Sequence, residues 1–202
     1  MKLLHIDSSI LGGYSVSRQL SAQTVAQLTA GRDDIEVVYR DVAADPIPHL
    51  SGGYLAALQS AEADRTPELQ AEIAQSAAVL DEFIAADIVV IGAGLYNFGI
   101  PSQLKAWIDR IMVAGKTFSY VDGAPVGLVP GKRIILAIAR GGVYSGNSPT
   151  AANEHTETHL KAAFGFIGLA AESIVAEGVA IGPEQRAAAI EGAEAQIAAL
   201  TA

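Results

Sequence analysis

Four serines fall within ten residues of the stretch Ser8-Ser9-Ile10-Leu11-Gly12-Gly13-Tyr14-Ser15-Val16-Ser17. Hydroxyls and the unpaired N–H groups of a helix start can receive a phosphate without any lysine, because the helix dipole adds partial positive charge there. Ser9, Ser15 and Ser17 are the side-chain candidates; a turn in which Ser17 only caps the helix is the plainer account. A second stretch, Gly94-Leu95-Tyr96-Asn97-Phe98-Gly99-Ile100-Pro101, sets two aromatics around an amide. Tyr96 and Phe98 could lie along a flat heteroaromatic ring while Asn97 addresses its polar edge, or the aromatics could simply cover the end of a sheet. The third stretch, Ala139-Arg140-Gly141-Gly142, brings adjacent glycines, whose N–H groups can approach a ligand with no Cβ in the way. Donors placed there would stabilise negative charge developing on a ring as it is reduced, although a Gly-Gly pair by itself also makes an ordinary turn.

These loops need a scaffold that brings them together. Lys2 to Asp7 is a short apolar run emptying into the serine loop, as a buried parallel strand does, and helical spacing follows from Ser17 to Gly31. Ile35 to Tyr39 reads as a second strand, residues 41 to 65 as irregular or partly helical, and Thr66-Pro67 as the cap and first turn of a helix reaching Ala86. Asp87 to Ala93 is a third strand. Pro101 opens a helix with Leu104, Trp107, Ile108, Ile111 and Met112 on one face, Lys105 and Asp109 on the other, and Gly115 at its end. Residues 117 to 130 suggest a hairpin and a lid candidate, Arg133 to Ala139 a fourth strand, 152 to 167 a helix, Ala171 to Ala176 a fifth strand, and Pro183 the start of a last helix running to the end. Strands alternating with helices predict an α/β fold, a doubly wound five-stranded parallel sheet with helices on both faces, in one domain over residues 1 to 202. Ligands of such sheets lie beyond the carboxyl ends of the strands, where strand order reverses, and the three loops follow strands one, three and four.

Composition removes competing classes. Of 202 residues 50% are hydrophobic and 17% charged, so the chain folds, and 37 alanines weigh against an all-β architecture. Thirteen basic against 22 acidic residues leave a net charge of −9, which repels nucleic acid and anionic lipid. With no cysteine there is no disulfide, thiolate nucleophile or iron–sulfur cluster. The amino-terminal apolar run breaks at His5 and Asp7, which points to a cytoplasmic protein without a membrane span. His155 and His159 are four apart, but the zincin order is absent and no third ligand is evident, so a solvated helix face and no metal is the expectation. Gly-x-Gly-x-x-Gly, Gly-x4-Gly-Lys-Ser/Thr and Gly-x-Ser-x-Gly are all missing.

Taken in order, the segments 8 to 17, Leu-Tyr-Asn-Phe-Gly-Ile-Pro at 95 to 101, Leu-Lys-Ala-Trp-Ile-Asp at 104 to 109, Arg-Gly-Gly at 140 to 142 and Phe-Gly-Phe-Ile-Gly at 164 to 168 resemble the FMN-dependent NADH azoreductase and NADH:quinone oxidoreductase family, of flavodoxin-like fold. The likeness spans essentially the whole chain. It implies that Ser9, Ser15, Val16 and Ser17 bind the FMN phosphate, that Leu95, Tyr96, Asn97 and Phe98 flank the isoalloxazine, and that Ala139, Arg140, Gly141 and Gly142 meet its pyrimidine edge. It further implies a homodimer and a ping-pong cycle in which NADH reduces the flavin and a quinone or aromatic azo compound takes two electrons back. Tyr120 and Tyr144 could border and orient the substrate, or either could equally be a surface or interface aromatic. Ala139 stands where the family usually has a hydroxyl residue, at a cost on the order of 1 kcal/mol for one lost hydrogen bond. A flavodoxin-like electron carrier is the competing reading, and the 117 to 130 excursion, as a wall for organic substrates, favours the enzyme.

Overall fold

In the computed structural model, which describes residues 1–201, neighbouring residues of each central strand point into different cores. The chain runs through β1 (Lys2–Asp7), α1 (Val16–Thr29), β2 (Glu36–Asp41), α2 (Gly52–Gln59), α3 (Pro67–Ala85), β3 (Ile88–Gly94), α4 (Ser102–Ile111), the hairpin strands β4 (Phe118–Val121) and β5 (Ala124–Gly127), β6 (Arg133–Arg140), α5 (Thr156–Phe166), β7 (Ala171–Glu177) and α6 (Pro183–Ala198). Five strands pair in parallel in the order β2-β1-β3-β6-β7. Leu4, Ile6, Val89, Ile91 and Leu136 pack with Phe83, Trp107 and Phe164 of α3, α4 and α5 on one face. Leu3, Val90 and Ile135 pack with Leu20 of α1 and Ile197 of α6 on the other. The strand order reverses between β1 and β3, so the loops leaving those strands diverge to opposite faces and open a crevice.

Local chemistry explains most boundaries. Thr66 accepts the Leu69 N–H at 3.3 Å, Pro67 occupies the first turn of α3, and Lys105 and Asp109 form their ion pair across one turn of α4. Residues 41 to 65 are partly helical, as expected: α2 is capped by Ser51 through the Tyr54 N–H, and the rest is largely irregular. Two helix boundaries, the start of α5 and the end of α4, differ from the sequence expectation by several residues. The helix expected from 152 begins at Thr156, because the Glu154 carboxylate accepts the N–H groups of Thr156 and Glu157, each at 2.8 Å. And α4 stops at Ile111 rather than Gly115, because the buried Thr117 hydroxyl donates to the Ile111 carbonyl at 2.7 Å and accepts the Val113 N–H.

The hairpin is present, turned by Asp122 and Gly123 at φ 51° and 80°, but it does not lie over its own site loops. Phe118 packs edge-on against Phe166, 4.8 Å between ring centres, at the carboxyl end of α5. At the amino end of that helix His155 donates its N–H to the Phe98 carbonyl at 3.0 Å. Eleven helical residues, about 16 Å of axis, separate the two contacts. Within one chain the lid expectation therefore fails: the helix that touches the ring loop at one end holds the hairpin at the other. Gly127 seats the hairpin, since a Cβ there would overlap the Ile167 carbonyl, a backbone group. Gly127→Ala is expected to lower stability by about 1–3 kcal/mol, measurable as a reduced denaturation midpoint at unchanged slope.

Candidate functional site

The serine loop gathers hydroxyls and unpaired N–H groups at the start of α1. Ser15, not Ser17, is the cap of α1: its hydroxyl accepts the Arg18 N–H at 3.3 Å, and Ser15 and Ser17 Oγ lie 3.1 Å apart. The N–H groups of Val16 and Ser17 find no partner in the chain, so α1 presents two free donors between two hydroxyls. The Val16 side chain is buried in the α1 core, leaving its N–H as its only offering. Ser9 shares a hydrogen bond of 2.8 Å with the Tyr96 hydroxyl, which ties this loop to the next, and Ser8 donates to the Gly92 carbonyl.

Arg18 was not singled out by sequence and proves central. Its guanidinium donates to the Ser9 carbonyl from Nε and Nη2, at 2.9 and 2.7 Å, and forks onto both oxygens of Asp41 at 2.6 and 2.8 Å. The hydrogen bond from Arg18 holds the Asp41 carboxyl below its ordinary pKa, and the same pairing raises that of the guanidinium. Tyr39 donates to the buried Asp7 at 3.1 Å, and its burial, with the charge on Asp7, pushes its phenol up to about 12. The cation after Ser17 and the acids ending β1 and β2 were the available signal; adjacent parallel strands bring Asp7 and Asp41 side by side.

The ring loop is held under strain. Tyr96 and Gly99 exchange both backbone hydrogen bonds, at 2.9 and 3.1 Å, around Asn97 and Phe98 at φ 46° and 73°. A phenylalanine in the left-handed region costs about 1 kcal/mol or more and persists where a site requires it. The turn leaves Asn97 and Phe98 exposed, while the Tyr96 ring folds back over Gly94 to reach Ser9. Leu95 donates its N–H to the Ala139 carbonyl at 2.9 Å and so joins this loop to the glycine loop.

In the glycine loop the carbonyls of Arg140, Gly141 and Gly142 accept the N–H groups of Val179, Ala180 and Gly178, at 3.1, 3.0 and 2.9 Å. All three carbonyls are thus committed to the loop after β7, and the N–H groups of Gly141 and Gly142 stay unpaired within the chain. The Arg140 side chain is no ligand arm. It is buried among Glu157 at 2.5 Å and Glu154 and Glu177, each at 3.4 Å, so whatever this residue lends a ligand must come from its main chain. Burial opposes ionisation of Glu177, but bonds from Ser145, the Tyr144 N–H and Arg140 hold it below the usual carboxylate range. Ala139 packs into the α1 core, and the Tyr144 ring lies beside Gly142, which places Tyr144 with the loops; Tyr120 is on the distant hairpin, 63% exposed.

The serine and ring loops border a depression of about 350 Å³ lined by Ile10, Tyr96, Asn97, Ile100 and Gln103, which meets at Ile10 a second one running over Ser9 and Arg18; the glycine loop lines neither and is joined to the ring loop through the Leu95–Ala139 hydrogen bond. The chain thus offers hydroxyls and free N–H groups at the start of α1, the exposed Asn97 and Phe98 in the ring loop, and free N–H groups at Gly141 and Gly142.

That fold and that site define a flavodoxin-like protein. The family described as "Flavodoxin-like fold" matches residues 1–200, and the chain belongs to it. It is 60% identical over 202 residues to a protein of Xanthomonas campestris pv. campestris named FMN-dependent NADH:quinone oxidoreductase, covering 99% of both chains. A protein of the same name from a Bradyrhizobium species is 56% identical over 203 residues, covering the full length of both. Among solved structures, an FMN-dependent NADH-azoreductase from Bacillus anthracis, in complex with FMN, superposes with a TM-score of 0.88 at 26% identity, covering 98% of this chain and 95% of the other.

Proposed function

We propose that this chain is an FMN-dependent NADH:quinone oxidoreductase that also reduces aromatic azo compounds by a ping-pong mechanism, in a single domain located in the cytoplasm. The observation that carries the reading is the pair of unpaired donor sets: the N–H groups of Val16 and Ser17 beside two hydroxyls, and those of Gly141 and Gly142 in the loop after β6. They match the phosphate and the pyrimidine edge of FMN at the two ends of one ligand. Relatives of more than half identical sequence that carry this name support the same reading. Among the described residues no helix is long and apolar enough to cross a membrane.

When bound, FMN would supply the two-electron redox chemistry that links NADH to the acceptor. The chain supplies position and charge. Ser9, Ser15, Val16 and Ser17 hold the phosphate; Leu95, Tyr96, Asn97 and Phe98 flank the ring; the main chain from Ala139 to Gly142 gives donors where negative charge develops. Tyr144 borders the glycine loop and is placed to orient substrate. Tyr120 reaches no site loop of its own chain, so an orienting role for it requires a homodimer in which one copy's hairpin meets its partner's loops. An apolar groove of about 360 Å³ lined by Leu50, Tyr54, Leu55, Leu58 and Leu80 leads along Met112 and Val113 toward that hairpin and supports an interface there.

The purified protein is expected to be yellow, to sediment as a dimer, and to bleach within milliseconds to seconds of anaerobic mixing with NADH. No direct reduction by NADH together with a stable one-electron state would instead identify an electron carrier. Because the hairpin does not wall its own site, that distinction rests on the relatives and on this experiment. Arg18→Lys keeps the charge but cannot span Ser9 and Asp41 as a planar fork. It is expected to weaken FMN binding about tenfold through the lost hydrogen bonds to the Ser9 carbonyl, read by titrating apoprotein with FMN and following fluorescence quenching.

A further inference from the structure

Three of the chain's four histidines, His49 and, more than a hundred residues later, His155 and His159, converge on one cavity. It has a volume of about 390 Å³ and is lined by His49, Ile100, Ser102, Lys105, His155 and His159. Ile100 and Ser102 also line the depression beside Tyr96 and Asn97, so the two spaces share a wall. Nothing in the phosphate or ring loops uses these imidazoles, and they are not grouped to hold a metal ion. His159 Nε2 is buried without a hydrogen-bond partner. Lys105 spends one contact on Asp109, which leaves the rest of its ammonium free. The amino end of α4 has no side-chain cap, and its first internal bond, from Lys105 N–H to the Pro101 carbonyl at 3.0 Å, leaves the N–H groups ahead of it as open donors. In a chain of net charge −9, this is a local concentration of donors with a single cation and a single neutralising carboxylate.

We infer that this cavity is a subsite for the anionic group of a substrate whose flat ring stacks on the flavin proposed for the neighbouring depression. The shared chemistry is a phosphate or sulfonate joined to a redox-active ring, which either the diphosphate of the dinucleotide donor or the acidic substituent of an acceptor supplies. The inference rests on the oxidoreductase reading above. It adds to that reading which residues select the charged substrate.

The test compares matched substrates on the holoenzyme. In the donor arm, kcat/KM for NADH is divided by that for dihydronicotinamide riboside, which lacks the diphosphate. In the acceptor arm, the value for 1,2-naphthoquinone-4-sulfonate is divided by that for 1,2-naphthoquinone. His49→Gln with His159→Gln, and separately the exposed Lys105→Gln, are expected to lower one of the two ratios about tenfold, the size of a lost hydrogen bond to a charged group. Asp109→Asn, which releases Lys105, should raise that same ratio. A fall in the donor ratio assigns the cavity to the diphosphate, and a fall in the acceptor ratio assigns it to the acidic acceptor. Both ratios unchanged, with flavin still bleached by both donors, overturn the subsite alone. Flavin bleached by neither donor overturns the oxidoreductase reading and the subsite with it.

Discussion

Ser15→Asp is expected to fold as well as the parent and to purify without FMN. Ser15 is the cap of α1, and aspartate caps a helix as well as serine does while its charge favours the amino end of the dipole. The helix therefore loses nothing. The proposed phosphate loses a hydroxyl donor and gains a carboxylate at contact distance, where two like charges about 4 Å apart near a protein surface repel by about 4 kcal/mol. At about 1.4 kcal/mol per factor of ten that is close to a thousandfold in affinity. Ser17 is the poorer position for this test: it is buried against Ser15, so a carboxylate there would damage the loop as well as the binding. The measurement is flavin content from the absorption spectrum, beside a thermal denaturation curve of the apoprotein. A variant that keeps stoichiometric FMN would remove the phosphate from the start of α1.

How far the sequence speaks depends on whether the cause is local. The strand cores, the Thr66-Pro67 helix start and the Lys105–Asp109 pair depend on residues within a turn or two of each other, and all stand where the pattern puts them. The hairpin follows from its own Asp122-Gly123 turn, yet its docking site is decided by Phe166 and Ile167, more than forty residues later, and no periodicity in 117 to 130 carries that information. Arg140 illustrates the same limit. In the sequence it leads a glycine pair and looks like part of a ligand loop; Glu154, Glu157 and Glu177, brought by α5 and β7, take its side chain. Arg18 lay hidden because its partners, Ser9, Asp7 and Asp41, end two different strands and become neighbours only in the sheet. The serine loop was legible in type but not in detail: that Ser15 rather than Ser17 makes the cap turns on one residue of helix boundary.

Gly141→Val is expected to fold normally and to lose more than about a hundredfold of its turnover, equivalent to about 2.7 kcal/mol of transition-state stabilisation. Gly141 is not in the left-handed region, so a branched residue meets no backbone penalty of the kind Asn97 and Phe98 bear. A Cβ there would touch only the Ala180 side chain, at 3.4 Å, and the Gly141 carbonyl would keep its bond from the Ala180 N–H. The protein thus has room for the side chain, and the methyl groups would project into space that the proposed ring edge needs. Gly142→Val makes a useful contrast. Its Cβ would press on the Tyr144 ring at 3.3 Å, so a loss there would mix displacement of Tyr144 with exclusion of the ligand. The decisive pair of measurements is the denaturation midpoint and steady-state reduction of a benzoquinone by NADH. An unchanged midpoint with collapsed turnover places the reacting ring against the glycine loop; full turnover with valine in place would mean that the ring lies elsewhere, and that the free N–H groups of Gly141 and Gly142 serve some other ligand.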